Sequence, residues 1–147
     1  DASTSEMRGK TPYATMTNDD IVALPIAALA HDDCVLWLWT TNAHMPVAFR
    51  CLDAWGFKHK TILTWAKPRW GVGRWLRGQT EHCLLAIKGT PLSPAAPEST
   101  LLTAPLGPHS RKPDEFYAAV ERMSPGNKVE LFARERRAGW AAWGHEA

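Results

Sequence analysis

The sequence has few of the features that mark secreted or membrane proteins. Its 147 residues include only three cysteines, Cys34, Cys51 and Cys83, which are far apart and odd in number. That pattern is typical of reduced thiols rather than of a disulfide framework. No apolar run approaches the ~18 residues of a membrane span, and no basic-then-apolar signal segment opens the chain. These absences predict a cytoplasmic protein without membrane association.

The signatures of common enzyme classes are also missing. No group of histidine, cysteine or acidic residues has metal-ligand spacing, so the sequence predicts no metal site. Neither the Gly-x-Ser-x-Gly turn of hydrolases nor a phosphate-binding P-loop occurs. The Gly-Val-Gly at 71–73 is too short for a dinucleotide fingerprint. A formal net charge of only +2 does not by itself require a nucleic-acid partner.

What the chain does contain is enough apolar material for one globular domain. Hydrophobic residues make up 45% of the sequence, and eight of all residues are tryptophan. A chain of this length and composition can bury a substantial core. We therefore predict a single domain over 1–147. The first residue is aspartate rather than methionine, and we expect further sequence upstream.

Strand-like and helix-like segments alternate along most of the chain. Apolar runs predict strands at 34–40, 57–67, 82–89 and 128–134, and a short edge strand at 101–105. Helical spacing predicts helices at 42–56 and 113–123, the first ending at Gly56 and the second starting at Pro113. Near-continuous apolar strands separated by helices predict an α/β fold with a mostly parallel sheet and helices on both faces.

The two ends of the chain are less regular. Thr17 and Asp20 form a candidate capping pair for a helix that Pro25 must break or kink. The residues after the last predicted strand, 135–147, show neither strand nor helix periodicity.

The segment 54–80 contains six lysines and arginines and no acidic residue, with tryptophans between them. Cations follow a phosphate backbone, and indole rings offer surfaces on which unpaired bases stack. Glycines at 71, 73 and 78 predict a flexible loop over 68–80. One interpretation is a loop that closes over a substrate, and the other is a solvated connection. We expect Trp55 and Trp65 to be core residues. The predicted nucleic-acid contacts are Lys67, Arg69, Trp70, Arg74, Trp75 and Arg77.

Two cations stand just before the helix predicted at 113–123. Arg111 and Lys112 precede Pro113, where positive charge opposes the helix dipole. One explanation is an anion at the helix start, held by free amides and cations together. The other is exposed charge that Asp114 and Glu115 balance. The sequence leaves both open.

Polar or aromatic segments follow three of the predicted strands. They are "WTTN" after the first, "WAKPRWGVGRW" after the second and "ARERR" after the last. Ligands gather at the carboxyl ends of strands in parallel sheets. Arg134 lies at such an end and shares a strand face with Glu130. It either pairs with Glu130 or holds a ligand carboxylate or ribose hydroxyls.

Five blocks of the sequence resemble one protein family. They are "PYATMTNDDIVALPI", "LWLWTTNAHMPVAFRCLDAWGFKHKTILTWAK", "TEHCLLAIKG", "HSRKPDEFYAAVERMSPGNKVELFAR" and "GWAAWGHE". Together they are similar to the adenine methyltransferases typified by the seventy-kilodalton catalytic subunit of the eukaryotic mRNA adenosine methyltransferase, which have bacterial and phage members. The resemblance implies a Rossmann-like methyltransferase sandwich with S-adenosylmethionine as cofactor. It also implies methyl transfer to the 6-amino group of adenine in DNA or RNA.

The resemblance implies roles for individual residues as well. Cofactor-binding positions are Arg134, Arg136, Arg137, Gly144, His145 and Glu146, the last two through the ribose hydroxyls. Positions that line the adenine pocket are Tyr13 and Trp39. The basic loop at 67–77 corresponds to a substrate-facing segment. The cations at the helix start and the strand end would then flank a cleft for cofactor and nucleic acid.

The chain departs from the family pattern at three places. The hallmark Asp-Pro-Pro-Trp motif, which holds the adenine amine, does not occur, and Asp1 is followed by alanine. His145 stands where asparagine is usual, and Thr80 stands where the eukaryotic catalytic subunit has lysine. We expect the missing motif and its strand to lie upstream, so the catalytic residues themselves are unknown.

Three hypotheses follow. The first is an adenine methyltransferase, completed by upstream residues, whose partners are DNA or RNA containing adenine, with a homodimer or heterodimer as open alternatives. The second is a non-catalytic subunit that binds nucleic acid through 54–80 on the same fold. The third is an unrelated α/β enzyme. Cofactor binding separates the first from the second, since the second would bind nucleic acid with strong salt dependence and no cofactor.

Overall fold

A computed structural model describes residues 16–108, 111–133 and 135–143. They form two compact units. The larger comprises residues 22–126, and the smaller combines the described residues up to Ile21 with those after Gly126. Within the described part of the chain, no helix has the length and apolar character needed to span a membrane.

The larger unit is built on a four-stranded sheet. Its strands are β1 (Cys34–Thr40), β2 (Lys58–Ala66), β3 (Thr80–Lys88) and β4 (Leu101–Thr103). They lie in the order β1-β3-β2-β4. β3 is antiparallel to both of its neighbours, and β4 is parallel to β2. The four apolar runs predicted as strands in this part of the sequence are confirmed.

The expectation of a mostly parallel sheet is wrong for this unit, because two of its three strand pairs are antiparallel. Only residues 67–79, without a helix, connect β2 to β3, so the chain turns back beside itself. β1 and β2 both oppose β3 and therefore point the same way. Their carboxyl ends meet the start of β3, where Thr40 faces His82 and Ala66 faces Thr80. We call this place the strand-end edge.

Helix α4 (Asp114–Met123) covers one face of the sheet. The ring of Phe116 contacts the indoles of Trp37 and Trp39 edge-on, with ring centroids 5.9 and 4.8 Å apart. The first turn of α4, which contains Phe116, lies towards the strand-end edge, because Phe116 is closer to Trp39, the later of the two residues along β1.

Helix α3 (Met45–Trp55) covers the opposite face. Phe49 meets the ring of His59 at 5.0 Å, and His59 faces Ala86 across the β2–β3 pair. Because β3 runs between both neighbours and both helices, Leu84 and Ala86 are fully buried. The prediction of helices on both faces is confirmed.

Two of the tryptophans anchor the core, as predicted. Trp65 is 1% exposed, and its Nε1 donates to the carbonyl of Ala104 at 3.0 Å. Trp55 is also buried and donates through Nε1 to the carbonyl of Val22 at 3.0 Å. Both indoles thus bury their rings while keeping their polar nitrogens bonded.

The short helices at the start of the described chain follow the predicted pattern. Helix α1 (Asn18–Val22) is capped reciprocally: the amide of Asp20 donates to the hydroxyl of Thr17, and the amide of Thr17 donates to the carboxylate of Asp20. Helix α2 (Ile26–Leu29) begins directly after Pro25. The proline separates the two helices because it offers no amide hydrogen.

Helix α3 ends at a left-handed glycine, also as predicted. Gly56 has φ 78°, a conformation that side chains other than glycine's disfavour. The amides of Gly56 and Phe57 donate to the carbonyls of Asp53 and Leu52, which satisfies the helix end. The chain then enters β2 one residue later.

The smaller unit contains a two-stranded parallel sheet of β5 (Lys128–Leu131) and β6 (Trp140–Trp143). The strand predicted at 128–134 is confirmed for its first four residues. β6 lies within 135–147, where the sequence shows no strand periodicity. Trp-Ala-Ala-Trp does not alternate apolar with polar residues, so only its pairing with β5 identifies the strand.

All three cysteines lie within the described residues and are free thiols. Burial raises the pKa of each, most strongly that of Cys83 at the centre of β3.

Candidate functional site

A buried carboxylate occupies the strand-end edge on the α4 face. Glu81, the second residue of β3, is 6% exposed. One of its oxygens lies 3.1 Å from Nζ of Lys67, which follows β2, and the other bonds Nζ of Lys112, which precedes α4. We call these three residues the Glu81 cluster. With two ammonium groups and one carboxylate, the Glu81 cluster carries more positive than negative formal charge.

Indole rings line the same cluster. Nζ of Lys112 lies 5.1 Å from the ring of Trp39, and Nζ of Lys67 lies 5.0 Å from the ring of Trp65. The two indoles contact each other edge-on at 6.3 Å. A cation above an indole face is held there by the ring's negative charge distribution, so the lysines are fixed from two sides.

Trp39 carries an unsatisfied donor. Its Nε1 is buried and has no hydrogen-bond partner within the described residues. Buried hydrogen-bond donors in proteins almost always have an acceptor, so the Nε1 of Trp39 is expected to bond a group other than the described residues. A ligand acceptor at the strand-end edge would supply one.

A histidine ties the strands together on the α3 face. Nε2 of His82 lies 2.8 Å from the side-chain oxygen of Asn42, and its Nδ1 lies 2.9 Å from the hydroxyl of Thr64, both within hydrogen-bond distance. The hydroxyl of Thr80 lies 3.3 Å from Nε2. Because these groups come from β2, β3 and the turn after β1, the network fixes the positions of the strand ends.

Residues 67–79 form a hairpin arm that projects from the strand-end edge. The ladder of β2 and β3 continues into it, since the amide of Lys67 donates to the carbonyl of Gln79 at 2.8 Å. Further out, the amide of Gly71 donates to the carbonyl of Gly78 at 2.6 Å. The predicted loop thus has hydrogen bonds of its own.

The predicted nucleic-acid contacts all lie on or at the base of the arm. Lys67 is at the base, inside the Glu81 cluster. The remaining predicted residues are exposed: Arg69, Trp70, Arg74, Trp75 and Arg77. The guanidinium of Arg77 lies 5.3 Å from the ring of Trp70 and donates through Nε to the carbonyl of Gly71 at 2.8 Å. The arm therefore presents cations and indoles to solvent together.

The two cations before α4 have acidic neighbours. Arg111 bonds Asp114 at 3.0 Å, as expected if Asp114 balances the exposed charge at the helix start. Lys112 instead reaches Glu81, across 31 positions of sequence. The Glu81 cluster was not among the features predicted from the sequence. The available signal was an acidic residue opening the apolar run "TEHCLLAIKG" directly after the acid-free segment.

Most of the cofactor positions implied by the family resemblance lie outside the described residues, as does Tyr13 of the adenine pocket. These are Arg134, Gly144, His145 and Glu146. Arg136 is exposed in the smaller unit, and Arg137 beside it bonds Glu135 at 3.1 Å. Trp39, the other adenine-pocket position, lies at the strand-end edge of the larger unit. In the part of the chain that the structure describes, no group of three or more His, Cys, Asp or Glu could hold a metal ion.

The amino-acid sequence of the chain is similar to those of several proteins named as methyltransferases. The chain is 38% identical over 146 residues to the probable N(6)-adenosine-methyltransferase MT-A70-like of Oryza sativa subsp. japonica, with 92% of this chain and 20% of that protein covered. It is 35% identical over 147 residues to the human N(6)-adenosine-methyltransferase catalytic subunit METTL3, with 92% and 25% covered. It is 34% identical over 138 residues to the type II methyltransferase M.MunI of a Mycoplasma species, with 91% and 59% covered.

The chain thus spans about a quarter or less of the plant and animal relatives and 59% of the bacterial one. A family model described as MT-A70 matches residues 2–146. Because that match covers nearly all of the sequence, the chain belongs to the MT-A70 family.

Proposed function

We propose that this chain is part of an S-adenosylmethionine-dependent methyltransferase that modifies the 6-amino group of adenine in DNA or RNA. The observation that carries the proposal is the strand-end edge, where Trp39 and the positively charged Glu81 cluster meet beside a basic arm. Relatives named as adenosine methyltransferases and as a type II methyltransferase support the same activity. The proposal includes a Rossmann-like fold in which residues upstream of this chain complete a single domain.

The chemistry of the edge fits the cofactor. S-adenosylmethionine has a carboxylate, ribose hydroxyls and an aromatic adenine, and when bound it supplies a methyl group on a positively charged sulfur. Lys112 offers a cation, and Trp39 offers both a flat ring and a buried donor in need of an acceptor. We propose these two side chains as contacts for the cofactor or for the target adenine.

The chain's own contribution to catalysis would be positioning. Holding two reactants in alignment supplies a large part of many rate enhancements. The Glu81 cluster and the His82 network fix the strand ends from opposite faces of the sheet, so Trp39 stands on a rigid support. Arg134, Arg136, Arg137, Gly144, His145, Glu146 and Tyr13 keep the roles implied by the family resemblance as part of the proposal.

The test is a calorimetric titration of S-adenosylmethionine into the 147-residue chain and into a version extended upstream. Binding by the extended form, alone or together with the short one, supports the proposal. If neither binds while circular dichroism shows both folded, the methyltransferase proposal is wrong.

One variant sharpens that titration. Arg134→Ala should weaken cofactor binding more than nucleic-acid binding, because the resemblance implies that Arg134 contacts the cofactor ribose. Arg122→Ala is the matched control, since that arginine is exposed and bonds Glu98. Equal losses of both kinds of binding, or no loss of either, would contradict the role of Arg134.

A second candidate is a non-catalytic subunit that binds nucleic acid through the arm. It is favoured by the exposed cations and indoles of the arm. This candidate predicts salt-dependent nucleic-acid binding by the extended form with no cofactor binding at all.

Location and assembly complete the proposal. Three free thiols support a reducing compartment such as the cytoplasm. A homodimer or a heterodimer is compatible with the proposal, and light scattering of the extended form, alone and with candidate partners, would measure it.

A further inference from the structure

The tip of the hairpin arm is apolar and almost completely exposed. Val72 is 90% exposed, Trp75 98% and Leu76 88%. These side chains therefore add little to the core, and the fold gives no reason for them. Exposed apolar clusters of this kind mark contact surfaces for another molecule.

The tip has a defined shape. The amide of Gly78 donates to the carbonyl of Val72 at 3.0 Å, next to the bond between Gly71 and Gly78. Gly73 has φ 154°, and a Cβ there would overlap the carbonyl oxygen of Leu76. Only glycine fits at this position, so the turn that presents Trp75 and Leu76 is built into the sequence.

The charge around the tip indicates what it contacts. Arg69, Arg74 and Arg77 are exposed on the same arm, and no acidic residue occurs in 54–80. A purely apolar protein partner would leave these cations without counter-charges. A nucleic acid supplies both parts of the complement, phosphates for the cations and a base stack for the apolar tip.

We propose that Val72, Trp75 and Leu76 form a wedge that enters the base stack of a duplex and fills the space vacated by the target adenine. The proposal rests on the proposed function and names its substrate as a duplex. An adenine inside a duplex must leave the stack before its amino group can react, and the gap it leaves must be filled or the flanking bases close over it. Apolar side chains inserted between base steps do this in other duplex-binding proteins.

The wedge differs from a simple stacking platform in what it prefers. A platform binds unpaired bases and favours single strands. A wedge favours a duplex that already contains a gap, because the cost of unstacking a base has been removed. A duplex with one stable abasic site opposite thymine is therefore the probe, and it requires no knowledge of a recognition sequence.

The experiment compares binding of the 147-residue chain to three DNA probes of one sequence: intact duplex, abasic duplex and single strand. We expect the abasic duplex to bind about tenfold more tightly than the intact one, from the usual strength of side-chain stacking. The double variant Trp75→Ala with Leu76→Ala should abolish that preference. Its affinity for the abasic duplex should fall more than its affinity for the intact duplex, because the cations of the arm remain in both complexes.

Two further variants serve as checks. Leu29→Ala with Leu92→Ala removes exposed leucines elsewhere and should leave the preference intact. Gly73→Ala keeps every tip side chain but displaces the turn, and it should reduce the preference. Thermal unfolding of the Trp75→Ala with Leu76→Ala variant should match that of the parent chain, since these side chains are 98% and 88% exposed and bury little surface.

Each contrary result has a distinct meaning. Failure of the parent chain to bind any of the probes contradicts the wedge and DNA binding by the arm, whereas the titration with S-adenosylmethionine tests the methyltransferase proposal separately. Binding without an abasic preference, or a preference that survives the double variant, overturns the wedge alone. Loss of a dimer in the double variant with unchanged DNA binding identifies the tip as a protein contact, which also overturns the wedge.

Discussion

At Glu81 one carboxylate is opposed by two ammonium groups, and all three side chains are largely withdrawn from water. The lysines, Lys67 and Lys112, are 24% and 21% exposed. Removing one partner of a buried ion pair leaves uncompensated charge in a poor solvent for it. Glu81→Gln should therefore lower the free energy of unfolding by about 2 kcal/mol, less than for a fully buried pair because water reaches the lysines.

Urea denaturation of the variant and its parent would measure this change. Glu98→Gln is the matched control, because Glu98 also bonds a basic residue, Arg122, but on the surface. Exposed ion pairs contribute little, so this control should unfold close to the parent. Equal effects at both glutamates would show that burial of Glu81 is not what makes its charge important.

At Cys83 the relevant quantity is the ease of deprotonation. Burial raises the pKa of this thiol well above its usual range, with Glu81 adding to the rise and Lys112 opposing it. Since the thiolate is the reactive form, we expect a maleimide pulse at pH 8 to label the half-buried Cys34 and to leave Cys83 unlabelled until urea unfolds the chain. Mass spectrometry of peptides would identify the labelled positions.

The same rise in pKa has a consequence for stability at alkaline pH. A thiol whose pKa is higher in the folded state stabilises that state fully below the unfolded-state pKa, about 8.5. Above that pH the unfolded chain loses its proton first, so the free energy of unfolding should fall as the pH rises. Denaturation curves at pH 7.5 and 9.5 would measure the difference, and Cys83→Ala should reduce the slope. A slope that the substitution leaves unchanged would assign the effect to other groups.

Among the elements, helix α3 has an end that depends on one residue. A Cβ on Gly56 would meet no atom within 4 Å, so the cost of Gly56→Ala is conformational alone. With φ 78°, that cost should be about 1 kcal/mol in the free energy of unfolding. Gly107→Ala is the control, because its new Cβ lies at ordinary contact distance and no positive φ is involved. Similar losses in both variants would contradict the cap.

The hairpin arm allows a prediction about salt. Joint substitution of Arg69→Ala and Arg74→Ala should weaken binding of DNA and RNA and should reduce the dependence of log affinity on log salt by about two, roughly one for each lost phosphate contact. Lys58→Ala with Lys60→Ala removes the same charge from the opposite end of β2 and should change the slope less. An unchanged slope in the arm variant would contradict nucleic-acid binding by these arginines.

The elements themselves were largely predictable, whereas their pairing was not. Apolar runs and caps such as Gly56 and Pro25 lie within a few neighbours in the sequence, so local patterns identify them. The antiparallel position of β3 between β1 and β2 depends on packing across the whole unit. β6 has no local signal, since its pairing with β5 alone defines it.

For the molecule as a whole, the sequence identified the basic and aromatic arm, because its composition is visible without coordinates. It did not identify the Glu81 cluster, because Lys112 lies 31 positions from Glu81. Nor did it identify the bonds of His82 to Asn42 and Thr64 or the unsatisfied donor of Trp39. Contacts between residues so far apart in the sequence depend on the order of the strands in the sheet, and local sequence patterns do not predict that order.

The central place of β3 also sets an order of events when the chain folds. Pairing of β2 with β3 closes only the short connection at 67–79, whereas pairing of β1 with β3 brings together residues more than forty positions apart. Closing a longer loop loses more chain entropy, so we expect the hairpin to form first and β1 to dock afterwards. The ion pair between Lys67 and Glu81 would then form with the hairpin, and Trp39 would contact these residues only after β1 docks.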